Sequence, residues 1–312
     1  MKTIVPNYYE NFNCIADKCH HNCCIGWEID IDEDTLEKYK SAKGKFSRKL
    51  KRGIETNDES ACFKLDGKGR CVFLNENNLC EIILNYGENS LCQICADHPR
   101  FRNFFSDRTE IGLGLCCEEA ARIILSQKEH FSLVTIFDDE ENEQLSFEEE
   151  NVIKLRNEMF EILQSSEKSL QEKVDTLLRI NGNELLTIPQ NEWTDFLLTL
   201  ERLDDYWTVI LNDLKDFDIS NTIIPRKFDY VFVNLLLYFI YRHINEVNTQ
   251  ETIQFVIWSY SVILNICKAH ICKYGNIEIN DIIEHSRMYS SEIEYSDENV
   301  EKIIEYLQKN KS

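Results

Sequence analysis

The residues best suited to chemistry in this chain are cysteines, and they are crowded. Eleven of the thirteen lie before position 118, and only Cys267 and Cys272 lie beyond. Three groups have short spacing: Cys14-x4-Cys19-x3-Cys23-Cys24, Cys71 with Cys80, and Cys92-x2-Cys95 leading into His98-Pro99-Arg100. Short spacing lets thiolates converge on one centre without a long loop to close, and amides of such loops donate to the sulfurs. Cys19, Cys23, Cys24, Cys71, Cys80, Cys92 and Cys95 are therefore candidate ligands. Zinc and a 4Fe–4S cluster each call for about four such donors, so the thiols outnumber one site and leave both the ion and the ligand set open. Adjacent side chains point in different directions, so Cys23 and Cys24 are not both expected on one ion.

Metal is favoured over disulfides by the setting. The start, Met1-Lys2-Thr3-Ile4-Val5-Pro6-Asn7, has no continuous apolar stretch of the secretory kind, and a cytoplasmic protein is expected. Stable disulfides are rare in a reducing compartment, and an odd number of thiols suits a complete disulfide set poorly. The apolar run Tyr230–Tyr241 is too short for a bilayer, which needs about 20 apolar residues. No membrane partner is expected. With 34 Lys and Arg against 55 Asp and Glu, the formal charge is −21. That argues against nucleic acid, whose phosphates need a basic face.

Other residues deserve weighing against blander roles. His20 and His21 sit inside the first cysteine group and are further possible donors. Arg100 could bind the carboxylate of a cosubstrate, or pair with a nearby acid. Cys267-x2-His270-x-Cys272 has metal-like residue types, but on a helix Cys272 falls off the face shared by the other two, so a structural role is expected. Lys38, Lys40, Lys43, Lys45, Arg48, Lys49, Lys51 and Arg52 read as a solvated helix face or a docking face for an acidic partner. Asn234, Tyr238, Tyr241 and Arg242 could place polar groups in a cleft, or belong to an amphipathic core helix. A radical-type Cys-x3-Cys-x2-Cys loop begins at Cys19 and Cys23 but meets Gly26, so that chemistry is not expected.

The elements that must hold these residues read as mostly α. Residues 1–127 are expected to form a cysteine-rich metal or iron–sulfur module of loops and short helices, residues 128–150 an acidic linker, and residues 151–312 a helical domain. Within the first part, one helix is expected from Asp34 to about Gly53 and another from Glu118 to Gln127. The acidic linker runs through Asp138-Asp139-Glu140-Glu141-Asn142-Glu143, and Glu148–Glu150 suit a first helical turn. Phe196, Leu200, Leu203, Trp207, Ile210 and Leu214 recur at three- and four-residue steps and predict one buried stripe. Further helices are predicted after Pro225 through Phe239, over Phe255–Ile271, and from Asp297 to about Gln308.

Taken in order, several motifs resemble the flagellin lysine-N-methylase family. They are Tyr8-x3-Phe12-x-Cys14, Cys19-x3-Cys23-Cys24-x2-Trp27, Arg70-Cys71-x-Phe73-Leu74, Leu79-Cys80-x-Ile82, Gly87-Glu88-x2-Leu91-Cys92-x2-Cys95 and Pro99-Arg100. The same cysteine order is similar to the broader YkgJ-type zinc- or iron-chelating proteins. The likeness covers roughly residues 8–125. It implies a protein-lysine N-methyltransferase acting on flagellin, dependent on S-adenosylmethionine and carrying a 4Fe–4S cluster. Cys117 stands where the family has a Cys-Pro-Glu motif and joins the implied ligands. Here that motif is Cys117-Glu118-Glu119, and the family's Cys-Pro-Phe-Leu is Cys71-Val72-Phe73-Leu74; each keeps the cysteine and loses a proline. No strand followed by a G-x-G turn marks a nucleotide-type methyltransferase fold. The alternative reading is a non-enzymatic zinc- or iron-binding module whose metal only holds the fold.

Overall fold

The computed structural model describes the whole chain except residues 58–59, 140–142, 181, 183–187, 246–248 and 311–312. It is mostly helical. In chain order the regular elements are β1 (Lys2–Pro6), α1 (Glu33–Ser41), α2 (Ser47–Arg52), β2 (Ile54–Thr56), β3 (Ala61–Phe63), α3 (Glu81–Tyr86), α4 (Gln93–Asp97), β4 (Arg100–Phe104), β5 (Arg108–Leu113) and α5 (Glu118–Ser126). They continue with β6 (Leu133–Phe137), α6 (Phe147–Gln164), α7 (Leu170–Ile180), α8 (Gln190–Leu197), α9 (Asp205–Asp216), α10 (Asp229–His243), α11 (Thr249–Tyr274), α12 (Ile279–Tyr289) and α13 (Asp297–Lys309).

The chain divides into a cysteine-rich unit, Asn13–Arg100, and a helical unit made of Met1–Phe12 with Phe101–Ser312. This is a different division from the expected boundary after residue 127. The reason is β1, which pairs in parallel with β5 (Ile4 opposite Glu110) and antiparallel with β6 (Pro6 opposite Leu133). The resulting sheet, in order β4-β5-β1-β6, ties the N-terminus and residues 100–137 to the later helices. Part of the expected acidic linker is therefore strand β6. Glu140–Asn142 of the acidic run lie outside the described residues.

In the cysteine-rich unit, the helix expected from Asp34 to Gly53 is two helices. Asp32 caps α1 by accepting from the Thr35 amide at 2.9 Å, and the chain then turns at Gly44, whose φ is +99°. A small core forms beneath, with Tyr39, Leu50, Phe63, Phe73 and Ile82 buried. Phe63 meets Phe73 edge to face at 5.2 Å between ring centroids, a favourable aromatic geometry.

In the helical unit, α10 is apolar almost all round and is buried accordingly. Ser146 and Glu149 close a capping box at the start of α6, so one of the three glutamates of that turn has a specific partner. The single stripe predicted from Phe196 to Leu214 is broken. The chain leaves helix between α8 and α9, and Leu203 is left 60% exposed. Asp204 restarts the helix as an N-cap. Among the described residues, Gln250–Tyr274 forms one helix long and apolar enough to cross a membrane by length and composition. It exceeds the Tyr230–Tyr241 run singled out from sequence, and 61% of its apolar window is buried within the fold.

Candidate functional site

Six of the expected thiols in the cysteine-rich unit lie near enough to feel one another's charge. The segments that carry them are stitched by backbone bonds: the Cys71 amide donates to the Cys24 carbonyl at 2.8 Å, and the Gly26 amide to Gly69 at 2.9 Å. Gly26 takes φ +94°, a left-handed conformation that an L side chain rarely adopts, and so turns the chain directly after Cys23-Cys24. An isolated bridge between Leu74 and Cys80 folds the third segment back beside the second. Cys80 and Cys92 occupy the N-cap positions of α3 and α4, placing their sulfurs by helix amides. Burial raises the Cys80 thiol above its ordinary value, and the Ile83 and Ile82 amides only partly offset that rise, without closing a full cap bond.

The thiols feel one another. The hydrogen bond from Cys24 draws Cys23 towards thiolate, while that bond, burial and the charges of Cys23, Cys71 and Cys80 push Cys24 up. Cys92 and Cys95 form a second such pair, with Cys92 drawn down and Cys95 pushed up by their shared bond. Burial pushes the Cys71 thiol up to about 11, and its thiol neighbours Cys80 and Cys92 add to the rise. Clustered anions repel, so these sulfurs can ionise together only if something positive sits among them. The donors therefore suit a thiolate-bound metal group in their chemistry. Among the described residues, however, no three His, Cys, Asp or Glu side chains gather as a single-ion site would require.

The remaining candidates lie elsewhere in their units. The Cys19 thiol donates to the His21 carbonyl at 3.2 Å. Cys62, in β3, is raised by burial and by Glu28, Glu55 and Asp30, not by thiols. Arg100 donates to the Ala96 carbonyl at 3.4 Å; burial and the Arg100 charge lower His98 to about 4. Cys117 belongs to the helical unit, at the N-cap of α5. Cys267 is buried within α11, and Cys272 meets Thr222 at 3.0 Å. His270 pairs instead with His285, ring nitrogens 3.0 Å apart.

The helical unit holds a buried polar network that the sequence showed only in part. Arg242 donates to the Tyr238 hydroxyl at 3.0 Å and lies 3.3 Å from the Glu294 carboxylate. Tyr238 donates to Glu294, and the His243 Nε2 stands 2.6 Å from it. Glu294 is fully buried, and burial alone would raise it; Arg242 and His243 outweigh that and hold it below its ordinary value. Arg242 also lies over the Tyr295 ring, 4.7 Å from its centroid. Burial pushes the neighbouring Cys116 thiol up to about 12, against a hydrogen bond with Tyr295. Gly114 is required here, because a Cβ would sit 2.1 Å from the Tyr295 hydroxyl. A π-helical turn, Ser290–Glu294, follows α12 and delivers Glu294, a feature that recurs at functional sites. Tyr238 and Arg242 were legible as polar residues on an apolar helix. Glu294, His243 and Cys116 carried no spacing signal.

Residues 101–312 match the FliB lysine N-methylase C-terminal domain family. The chain belongs to that family. Over 134 residues, 41% of the chain, it is 27% identical to a lysine-N-methylase of Salmonella choleraesuis strain SC-B67 and to one of Salmonella typhimurium strain LT2. The same identity over the same length relates it to the flagellar biosynthetic protein FliU of Salmonella muenchen. The aligned stretch spans 33% of each methylase and 79% of FliU. No solved structure matches. The buried Arg242–Glu294 network lies wholly inside the family-matched residues, whereas the six-thiol cluster precedes them.

Proposed function

We propose that this protein is a cytoplasmic protein-lysine N-methyltransferase acting on flagellin, using S-adenosylmethionine and needing an intact thiolate-bound cluster. Membership of the lysine N-methylase family supports the reaction class. The observation that supports the cluster is that Cys23, Cys24, Cys71, Cys80, Cys92 and Cys95 lie close enough for the ionised forms to repel one another. These six are the residues from which the ligands of a 4Fe–4S group would be drawn. Zinc is the less favoured occupant, since the sulfurs meet as pairs and not as a converged set of three. A bound cluster would supply folding free energy and one-electron chemistry.

The reaction moves a methyl group from a sulfonium sulfur to a lysine nitrogen, leaving the thioether and one proton. The amine must be neutral to attack, so the site must desolvate the ammonium and accept its proton. Within the family-matched residues, the Arg242–Glu294–Tyr238 network holds the turn at Gly114–Cys116 through the Leu115 amide, which donates to the Tyr238 hydroxyl, and this supports a positioning role for these groups.

The test is to incubate anaerobically purified protein with its organism's flagellin and S-adenosylmethionine, then measure mass on lysine. Methylated lysine is expected. Unmodified flagellin, together with failure to bind S-adenosylmethionine, would leave a metal-binding module as the better account.

A further inference from the structure

Between α7, α8 and α11 lies a cavity of about 250 Å³, bordered by Leu178, Trp193, Gln254, Trp258 and Asn265. Its walls are aromatic and aliphatic, with the two indoles near a right angle (79°) and their centroids 6.4 Å apart. Gln254 is only 6% exposed, yet its amide makes no hydrogen bond among the described residues. Asn265 is half-buried and likewise has no side-chain partner among them. Neither amide is sealed from solvent, so both stay accessible to a ligand that enters the cavity.

Asn265 also borders a second, more polar cavity of about 440 Å³, with Gln190, Asp218, Ser220 and Lys268. Burial lowers the pKa of Lys268, which has no ion-pair partner among the described residues. One opening is thus aromatic with amide donors and acceptors, and the one beside it carries charge of both signs.

We propose that these two cavities, which share Asn265 as a wall, together bind a purine nucleoside with a charged tail. The base stacks on one of the two indoles and meets the other edge-on, and the amides of Gln254 and Asn265 read its edge. The tail lies beyond Asn265, with its carboxylate towards Lys268. Every base presents a π face for stacking on an aromatic ring, and a side-chain amide matches adenine's adjacent acceptor and donor. A cavity of this size admits an adenine ring, and the second has room for the remainder. The inference rests on the methyltransferase reading for one step only, the choice of S-adenosylmethionine as that nucleoside.

The experiment titrates the full-length protein with S-adenosylhomocysteine, with adenosine and with methionine. Tryptophan fluorescence and equilibrium dialysis are the readouts; two of the four tryptophans border the cavity. S-adenosylhomocysteine and adenosine should both quench, and Gln254→Leu should weaken both by about tenfold, the loss expected for one amide–base pair. Lys268→Met should weaken S-adenosylhomocysteine and leave adenosine unchanged. Asn265→Ala, at a less buried position, guards against misfolding of the Gln254 variant and should also weaken both. If the variants bind S-adenosylhomocysteine as the wild type does, this cavity is not the site, while the cofactor reading stands. If adenosine binds and S-adenosylhomocysteine does not, the nucleoside site stands and the cofactor reading falls. If neither binds, the cavity proposal is overturned.

Discussion

The backbone amide of Cys71 donates to the carbonyl oxygen of Cys24 at 2.8 Å, which locks the first cysteine group against the second. The contact depends on the turn at Gly26, whose φ of +94° suits glycine alone. Gly26→Ala should destabilise the cysteine-rich unit by about 1–2 kcal/mol, the usual cost of a left-handed L residue. Hydrogen exchange should rise across Asn13–Arg100, and Cys24 and Cys71 should alkylate faster. Unchanged exchange and alkylation would show that the turn does not hold the thiols together.

Removing metal from the purified protein should loosen Asn13–Arg100 and leave the helical unit protected. All six clustered thiols lie in the first unit, and the helical unit has its own core in α10 and α11. Metal binding in such modules is folding free energy. Hydrogen exchange before and after chelation distinguishes this from joint melting, which would contradict it.

Arg156 and Glu110 form an ion pair at 2.6 Å in which both side chains are fully buried. The Arg156 Nε and Nη1 and the Glu110 Oε2 have no hydrogen-bond partner among the described residues, so the pair is only partly compensated. Arg156→Ala should cost about 3–5 kcal/mol by stranding the carboxylate, whereas Arg156→Met with Glu110→Leu should recover most of it. Denaturant unfolding reads both. A single variant within about 1 kcal/mol of wild type would show the pair to be weak.

Burial, with help from the charge of His270, lowers His285 from 6.5 to about 4. The unfolded chain therefore takes up the proton first as pH falls. The stabilisation is complete above about pH 6.5 and is lost towards pH 4, by up to about 3 kcal/mol. Urea unfolding of the wild type across this range should show the decline, and His285→Gln should flatten it. Equal slopes for the two proteins would contradict the assignment.

The cysteine groups and several helices were readable because their signals are local. Cys80 and Cys92 each open a helix, and the helix over residues 118–126 was expected nearly to the residue. Strand β1 was not readable, because its partners, β5 and β6, lie more than a hundred residues away and share no pattern with it. The break between α8 and α9 was hidden by apolar spacing that continues across it, since Leu200 is buried and Leu203 is not. Glu294 looked like one more surface acid. Only the π turn and the arrival of Arg242 and His243 from α10 make it a buried carboxylate.

Paired cysteine variants test most directly whether flagellin methylation requires the thiol cluster. Cys80 lies among the clustered thiols, while Cys62 lies in the same unit among carboxylates. Each variant is purified anaerobically, and methyl mass is measured on flagellin lysines with S-adenosylmethionine present, alongside iron and sulfide content. Cys62→Ser should methylate as wild type does, and Cys80→Ser should lose iron, sulfide and methylation together. Full methylation by Cys80→Ser without iron or sulfide would contradict the account.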